Sequence, residues 1–109
     1  MARYKAKKKA KAQKPKGGAY YLLCKVRLGS FERERGVIIE IPDAENITAI
    51  VDKSDVFPDS KPTPGVIVGG RLRVFVVDEK KDKLIVDLPR ETFSSGPRIA
   101  VPKELVVAA

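Results

Sequence analysis

The stretch from Val68 to Leu88, VGGRLRVFVVDEKKDKLIVDL, decides the fold. Between Arg71 and Val77, the residues Leu72, Val74 and Val76 alternate with Arg71, Arg73, Phe75 and Val77. Strict alternation places the two sets on opposite faces of a pleated strand. Asp78-Glu79-Lys80-Lys81-Asp82 then interrupts the apolar pattern as a charged hairpin loop, and Lys83 to Leu88 returns as a second, aliphatic strand. A lone hairpin with one apolar face is marginal in water, so further strands have to cover it.

The rest of the chain supplies them. In Tyr20–Leu28, Cys24, Val26 and Leu28 alternate with Lys25 and Arg27, as in a half-buried strand. Gly29–Ser30 is a turn signal, and Phe31 to Arg35 is an acid–base alternation that suits an exposed loop or an edge-strand rim. Residues 36–41 and 47–51 read as strands, the first closed by Pro42–Asp43. Phe57 to Gly65 carries Pro58, Pro62 and Pro64, which excludes a central strand or a helix interior, and it reads as a stiffened loop. After another turn region at 89–97, Ile99 and Val101 suit one short extra strand. Pro102 to Val106 suits either a helical turn or a closing strand.

Strands are therefore expected at 20–28, 36–41, 47–51, 71–77 and 83–88, with no long helix. The fold class is all-β: a small five- or six-stranded antiparallel barrel, OB-like or alternatively SH3-like, because closure removes the free edges that its Val-rich strands would otherwise expose. With 43% hydrophobic residues, 6% aromatics and no Trp, the core of this single domain has to be aliphatic.

Charge divides the chain more sharply than hydropathy does. Residues 1–18 hold Arg3, Lys5, Lys7, Lys8, Lys9, Lys11, Lys14 and Lys16 and no acid, against a net charge of +8 for the whole chain. The remaining residues, 19–109, carry 14 basic and 14 acidic groups. A neutral body with a flexible cationic arm is expected, and Pro15, Gly17 and Gly18 separate the two. Fully extended, the arm would reach roughly 60 Å. Such an arm suits a polyanion, most often nucleic acid, and otherwise is a solvated tail.

Composition also removes function classes. With no His there is no Ser-His-Asp triad and no histidine metal ligand. Cys24 is the sole cysteine, so it has no internal disulfide partner, and its apolar strand suggests an inert core thiol. Asp52 with Asp55, and Asp78 with Asp82, are spaced for turns in which a carboxylate accepts a local backbone N–H. Gly69–Gly70 lacks the helix and Lys of a phosphate loop. No enzyme, metal or other cofactor is expected. No stretch approaches the roughly 18 apolar residues of a membrane span, and the N-terminus lacks the apolar segment of a secretory signal. The expectation is a cytoplasmic protein without a membrane partner, in keeping with a lone cysteine.

Three pieces, LLCKVRLGSFERERGVIIEI (22–41), ITAIVDKSDV (47–56) and VGGRLRVFVVDEKKDKLIVDL (68–88), are similar to the ribosomal-protein S-one-type OB-fold RNA-binding domain. The resemblance spans residues 22–88 and implies an OB barrel that binds RNA. Aromatic side chains on the second and third strands of that family stack on bases. The corresponding positions here are Val37 or Ile38, and Asp52, so those platforms are missing. Phe31 and Phe75 are left either to substitute for them or to join the core.

Besides the arm, Lys25, Arg27, Arg71 and Arg73 belong to strands that neighbour each other in such a barrel. They form either a basic docking face or a solvated face balanced by nearby acids. The leading expectation is thus a non-enzymatic RNA-binding protein, a component or accessory factor of a ribosome or other ribonucleoprotein, contacting ribosomal RNA or another polyanion and protein partners of that assembly. The alternative is a protein-interaction module or accessory subunit tethered to an acidic partner. DNA binding is a third option, since both nucleic acids offer phosphates.

Overall fold

The computed structural model describes residues 20–93 and 96–108, which form one curled antiparallel sheet of eight strands. The cationic segment, with its expected boundary at residue 18, lies outside the described residues. The strands are β1 (Tyr20–Leu28), β2 (Glu34–Ile39), β3 (Ile47–Asp52), β4 (Val56–Pro58), β5 (Val68–Glu79), β6 (Lys83–Asp87), β7 (Arg98–Pro102) and β8 (Val106–Ala108). The order β3-β2-β1-β5-β6-β7 curls into a half-barrel, with β4 added to β5 and β8 added to β1. No α-helix occurs among the described residues.

β1 and β5 are the spine. β1 pairs along Tyr20–Val26 with β5, and its other edge is shared between β8 at Tyr20–Leu22 and β2 at Lys25–Leu28. β5 is shared in the same way between β4 and β6. This double use explains why β5 runs to 12 residues, beyond the expected 71–77: Val68 already pairs with Val26, and Glu79 still pairs with Leu84. The loop of the β5–β6 hairpin shrinks to Lys81–Asp82, closed by the Lys80 N–H on the Lys83 carbonyl at 2.8 Å. Val77 is the extra residue of a bulge between the Val76 and Asp78 registers.

The alternation sets the core. Leu72 and Val74 on β5, Leu22 and Val26 on β1, Val37 and Ile39 on β2, and Val86 on β6 are essentially inaccessible. All are aliphatic. At the open seam of the half-barrel a bridge between Ala49 and Thr92 ties β3 to the segment before β7, where the Phe93 N–H also donates to the Thr48 carbonyl at 3.0 Å.

Some expectations are corrected, and some open alternatives are decided. β2 runs from Glu34 to Ile39 rather than over 36–41, because Glu34 and Arg35 pair with Asp52 and Val51 and the ladder ends where Ile39 meets Ile47. Phe31 and Phe75 stay out of the core, at 71% and 54% exposure. The C-terminal segment takes both of its alternatives in succession, a 3-10 turn at Lys103–Leu105 and then β8. The largest correction is β4, which begins the segment read as a loop. Val56, Phe57 and Pro58 pair with Leu72, Arg71 and Gly70. Pro58 brings no N–H, which an edge strand tolerates, and the Asp59 N–H picks up the ladder by donating to the Gly69 carbonyl at 2.9 Å.

Gly70 is what lets β4 approach. A Cβ at this position would lie 2.9 Å from Val26 Cγ2 and 3.0 Å from Pro58 Cα. Gly70→Ala is therefore expected to push β4 outward and to cost about 1–3 kcal/mol, the usual penalty of overpacking. Urea denaturation checks this, and an unchanged midpoint would mean that β4 is not held by this approach.

Candidate nucleic-acid interface

The register that buries Leu22 and Leu72 on one side of the β1–β5 pair sends their sequence neighbours to the other. Tyr21 pairs with Arg73, Leu23 with Arg71 and Lys25 with Gly69, so Tyr21, Leu23, Lys25, Arg27, Arg71 and Arg73 share the outward face. The four basic residues singled out from the sequence are thus brought together. β4 extends the row, placing Phe57 beside Arg71, and Phe75 follows two residues beyond Arg73 on the same side of β5.

The aromatic side chains are built into this face. Tyr21 and Phe57 meet edge to face with ring centroids 5.2 Å apart, and the Arg73 guanidinium carbon lies 5.8 Å from the Phe57 ring centre. Phe57 remains 41% exposed and Phe75 54% exposed. Neither Tyr21 nor Phe57 stands out as a site residue in the sequence. Tyr21 opens an ordinary strand pattern, and Phe57 begins a proline-rich stretch. Only the β4–β5 register joins them. For Phe75, the outward parity it shares with Arg71 and Arg73 is a signal that the sequence does carry.

The four cations differ in their surroundings. Lys25 pairs with Glu40 at 3.2 Å and Arg73 with Asp55 at 3.7 Å. Among the described residues, Arg27 and Arg71 have no carboxylate within ion-pairing distance. Arg27 instead lies across Gly36, where an added Cβ would fall 3.1 Å from the arginine's Cγ, Nε and Cζ. Next to Lys25, a shallow groove of about 200 Å³ is lined by Leu23, Cys24, Lys25, Ile38, Glu40, Gly69 and Leu105. Arg3, Lys5, Lys7, Lys8, Lys9, Lys11, Lys14 and Lys16 lie outside the described residues.

The other charged groups act locally. Asp52 accepts from Arg33 Nε and Nη2 at 3.1 and 2.8 Å and from the Ser54 N–H at 2.9 Å, so it caps the Lys53–Asp55 turn. The Arg33 hydrogen bonds, followed by those of Ser54, hold its carboxyl well below the usual carboxylate range. This is the turn role expected of Asp52. Asp87, beside Phe75 in the register, is held down in the same way by Arg98 at 2.7 and 3.0 Å. Cys24 is half-buried against the core. Burial, and then the nearby Asp59 carboxylate, push its thiol up to about 12, so it stays protonated at neutral pH.

Among the described residues no cluster of three or more His, Cys, Asp or Glu is arranged to hold a metal ion, and no helix is long and apolar enough to cross a membrane. No family model matches this chain, and no curated protein or solved structure matches it.

Proposed function

We propose that this chain is a non-enzymatic RNA-binding protein of a ribosome or other ribonucleoprotein. In this reading the lysine-rich segment 1–18 takes phosphates, and the outward face of β1, β4 and β5 takes unpaired bases and the phosphates beside them. The observation that carries it is the juxtaposition on one face of Tyr21, Phe57 and Phe75 with Arg71 and Arg73, Arg71 being without a carboxylate partner among the described residues.

The physical logic is that of sequence-tolerant strand binding. Every base has a π-face, so a ring on an open sheet accepts any of them, while arginines hold the backbone and stack as well. Unpaired bases are ordinary in folded RNA, in loops, bulges and ends, and exceptional in DNA, which favours RNA over the third option. A rigid sheet face combined with a run of lysines also divides the labour well. The lysines supply affinity without reading bases, and the sheet supplies geometry.

Fluorescence anisotropy of the full chain with labelled single-stranded and duplex RNA of equal length tests the reading. The single strand is expected to bind more tightly, and Phe75→Ala is expected to weaken it by about five- to a hundredfold while leaving the duplex nearly unchanged. No binding at low salt, together with copurification of a defined protein partner, would replace this reading with the accessory-subunit one.

A further inference from the structure

On the RNA-binding reading above, we propose that Asp55 and Glu40 are built-in competitors of the phosphate backbone, which hold back two of the four cations on the sheet face and set its affinity below the maximum. Asp55 ends the Lys53–Asp55 turn immediately before β4. The pairing of Val56 with Leu72 puts it beside Arg73, which faces outward from the next position on β5. Glu40 follows β2, whose Ile38 pairs with Lys25, and its carboxylate reaches Lys25 at 3.2 Å. The arrangement comes twice, from two separate elements.

Two kinds of carboxylate contact contrast here. Asp52 and Asp87 each grip an arginine through two short hydrogen bonds, and Asp52 also caps a turn. Those contacts are bidentate and fix the arginine in place. Asp55 meets Arg73 through one contact of 3.7 Å, with side chains 29% and 45% exposed, and Glu40 meets Lys25 with both about half exposed. Single, solvent-exposed contacts of this kind add little to stability. Their charge nonetheless sits where a phosphate would arrive.

Arg73 shows the exchange most clearly. Its guanidinium is shared between the Asp55 carboxylate and the Phe57 ring. A phosphate that displaces Asp55 leaves Arg73 still supported by Phe57, so the cation does not have to be repositioned. A single incoming carboxylate would only replace one weak partner with another. A phosphodiester strand reaches Arg71 and Arg27 as well and releases condensed counterions. The two acids lower the affinity of the face for polyanions in general, phosphodiester strands and acidic polypeptides alike.

The test uses the full chain, Asp55→Asn, Glu40→Gln and the double variant, with labelled oligouridylate and with polyglutamate as competitor. Each single variant is expected to bind oligouridylate about two- to fivefold more tightly, as the release of an exposed pair allows. Its salt slope should steepen by up to about one, the mark of an added phosphate contact, and the affinity for polyglutamate, read from the competition, should rise by a similar factor. Asp55→Glu, which keeps the charge, should behave as wild type. A folded variant with unchanged or weaker affinity overturns the inference while leaving the RNA reading intact, and Glu40→Gln supplies this outcome if Asp55→Asn fails to fold. Failure of wild type and variants alike to bind oligouridylate at low salt overturns both.

Discussion

Replacing Lys7, Lys8, Lys9 and Lys11 together by Gln is expected to weaken RNA binding by roughly 10²–10³-fold at 0.1 M salt. The magnitude follows from counterion release. Each phosphate neutralised on a single strand contributes about 0.7 to the slope of log affinity against log salt. Leaving four phosphates without a lysine at 0.1 M then removes a little under three decades, and the slope flattens by about three. The urea midpoint should stay where it is, because these residues bring few apolar groups to bury. Measuring binding at several salt concentrations separates this effect from the one on the sheet face. Phe75→Ala should lower affinity at every salt concentration with little change of slope, since stacking releases no counterions. A quadruple variant with wild-type affinity and slope would show that the cationic segment is a solvated tail. A lowered midpoint would show that it packs on the body.

The two halves of the molecule are unequally legible from sequence. Leu72, Val74 and Val76 announce their strand because a period of two survives in any context where one face is buried. The same alternation assigns Arg71 and Arg73 to the outer side, where the structure has them. Pairing at a distance is what the sequence hides. β4 is three residues long and ends in Pro58, so local propensity argues against it, and it exists because Gly70, over ten residues later, leaves room for its backbone. Phe57 becomes part of a site only through that pairing. Tyr21 joins it because β1 happens to be in register with β5 at Arg73. Phe31 suits the core as well as the surface on sequence grounds, since an isolated aromatic in a charged loop carries no periodicity. Its position on the rim is set by the turn that joins β1 to β2, where the Gly29 N–H donates to the Glu34 carbonyl at 3.1 Å and the Glu34 N–H to the Phe31 carbonyl at 3.0 Å.

Leu72→Ala is expected to be the most damaging single truncation for stability. Leu72 is completely buried, and it stands at the junction where both long strands and β4 meet, paired with Leu22 on one side and Val56 on the other. Removing its side chain loosens the packing of three strands at once and leaves a cavity that a sheet has little freedom to close. The cost of such a change is about 2–5 kcal/mol, against a total of about 5–15 kcal/mol for a domain of this size. At the middle of both ranges the urea midpoint should therefore fall by roughly a third. The neighbouring position gives the contrast. Arg71 is the adjacent residue but points to the outer face, so Arg71→Gln should shift stability by no more than about 0.5 kcal/mol while weakening RNA binding and reducing the salt slope by about one. On the RNA-binding reading, one strand thus carries two separable roles at successive residues: the inward set holds β1, β4 and β5 together, and the outward set is the docking face. Equal midpoints for Leu72→Ala and wild type would contradict the packing at this junction. A stability loss from Arg71→Gln as large as that from Leu72→Ala would show that the outer face is structural rather than a docking surface.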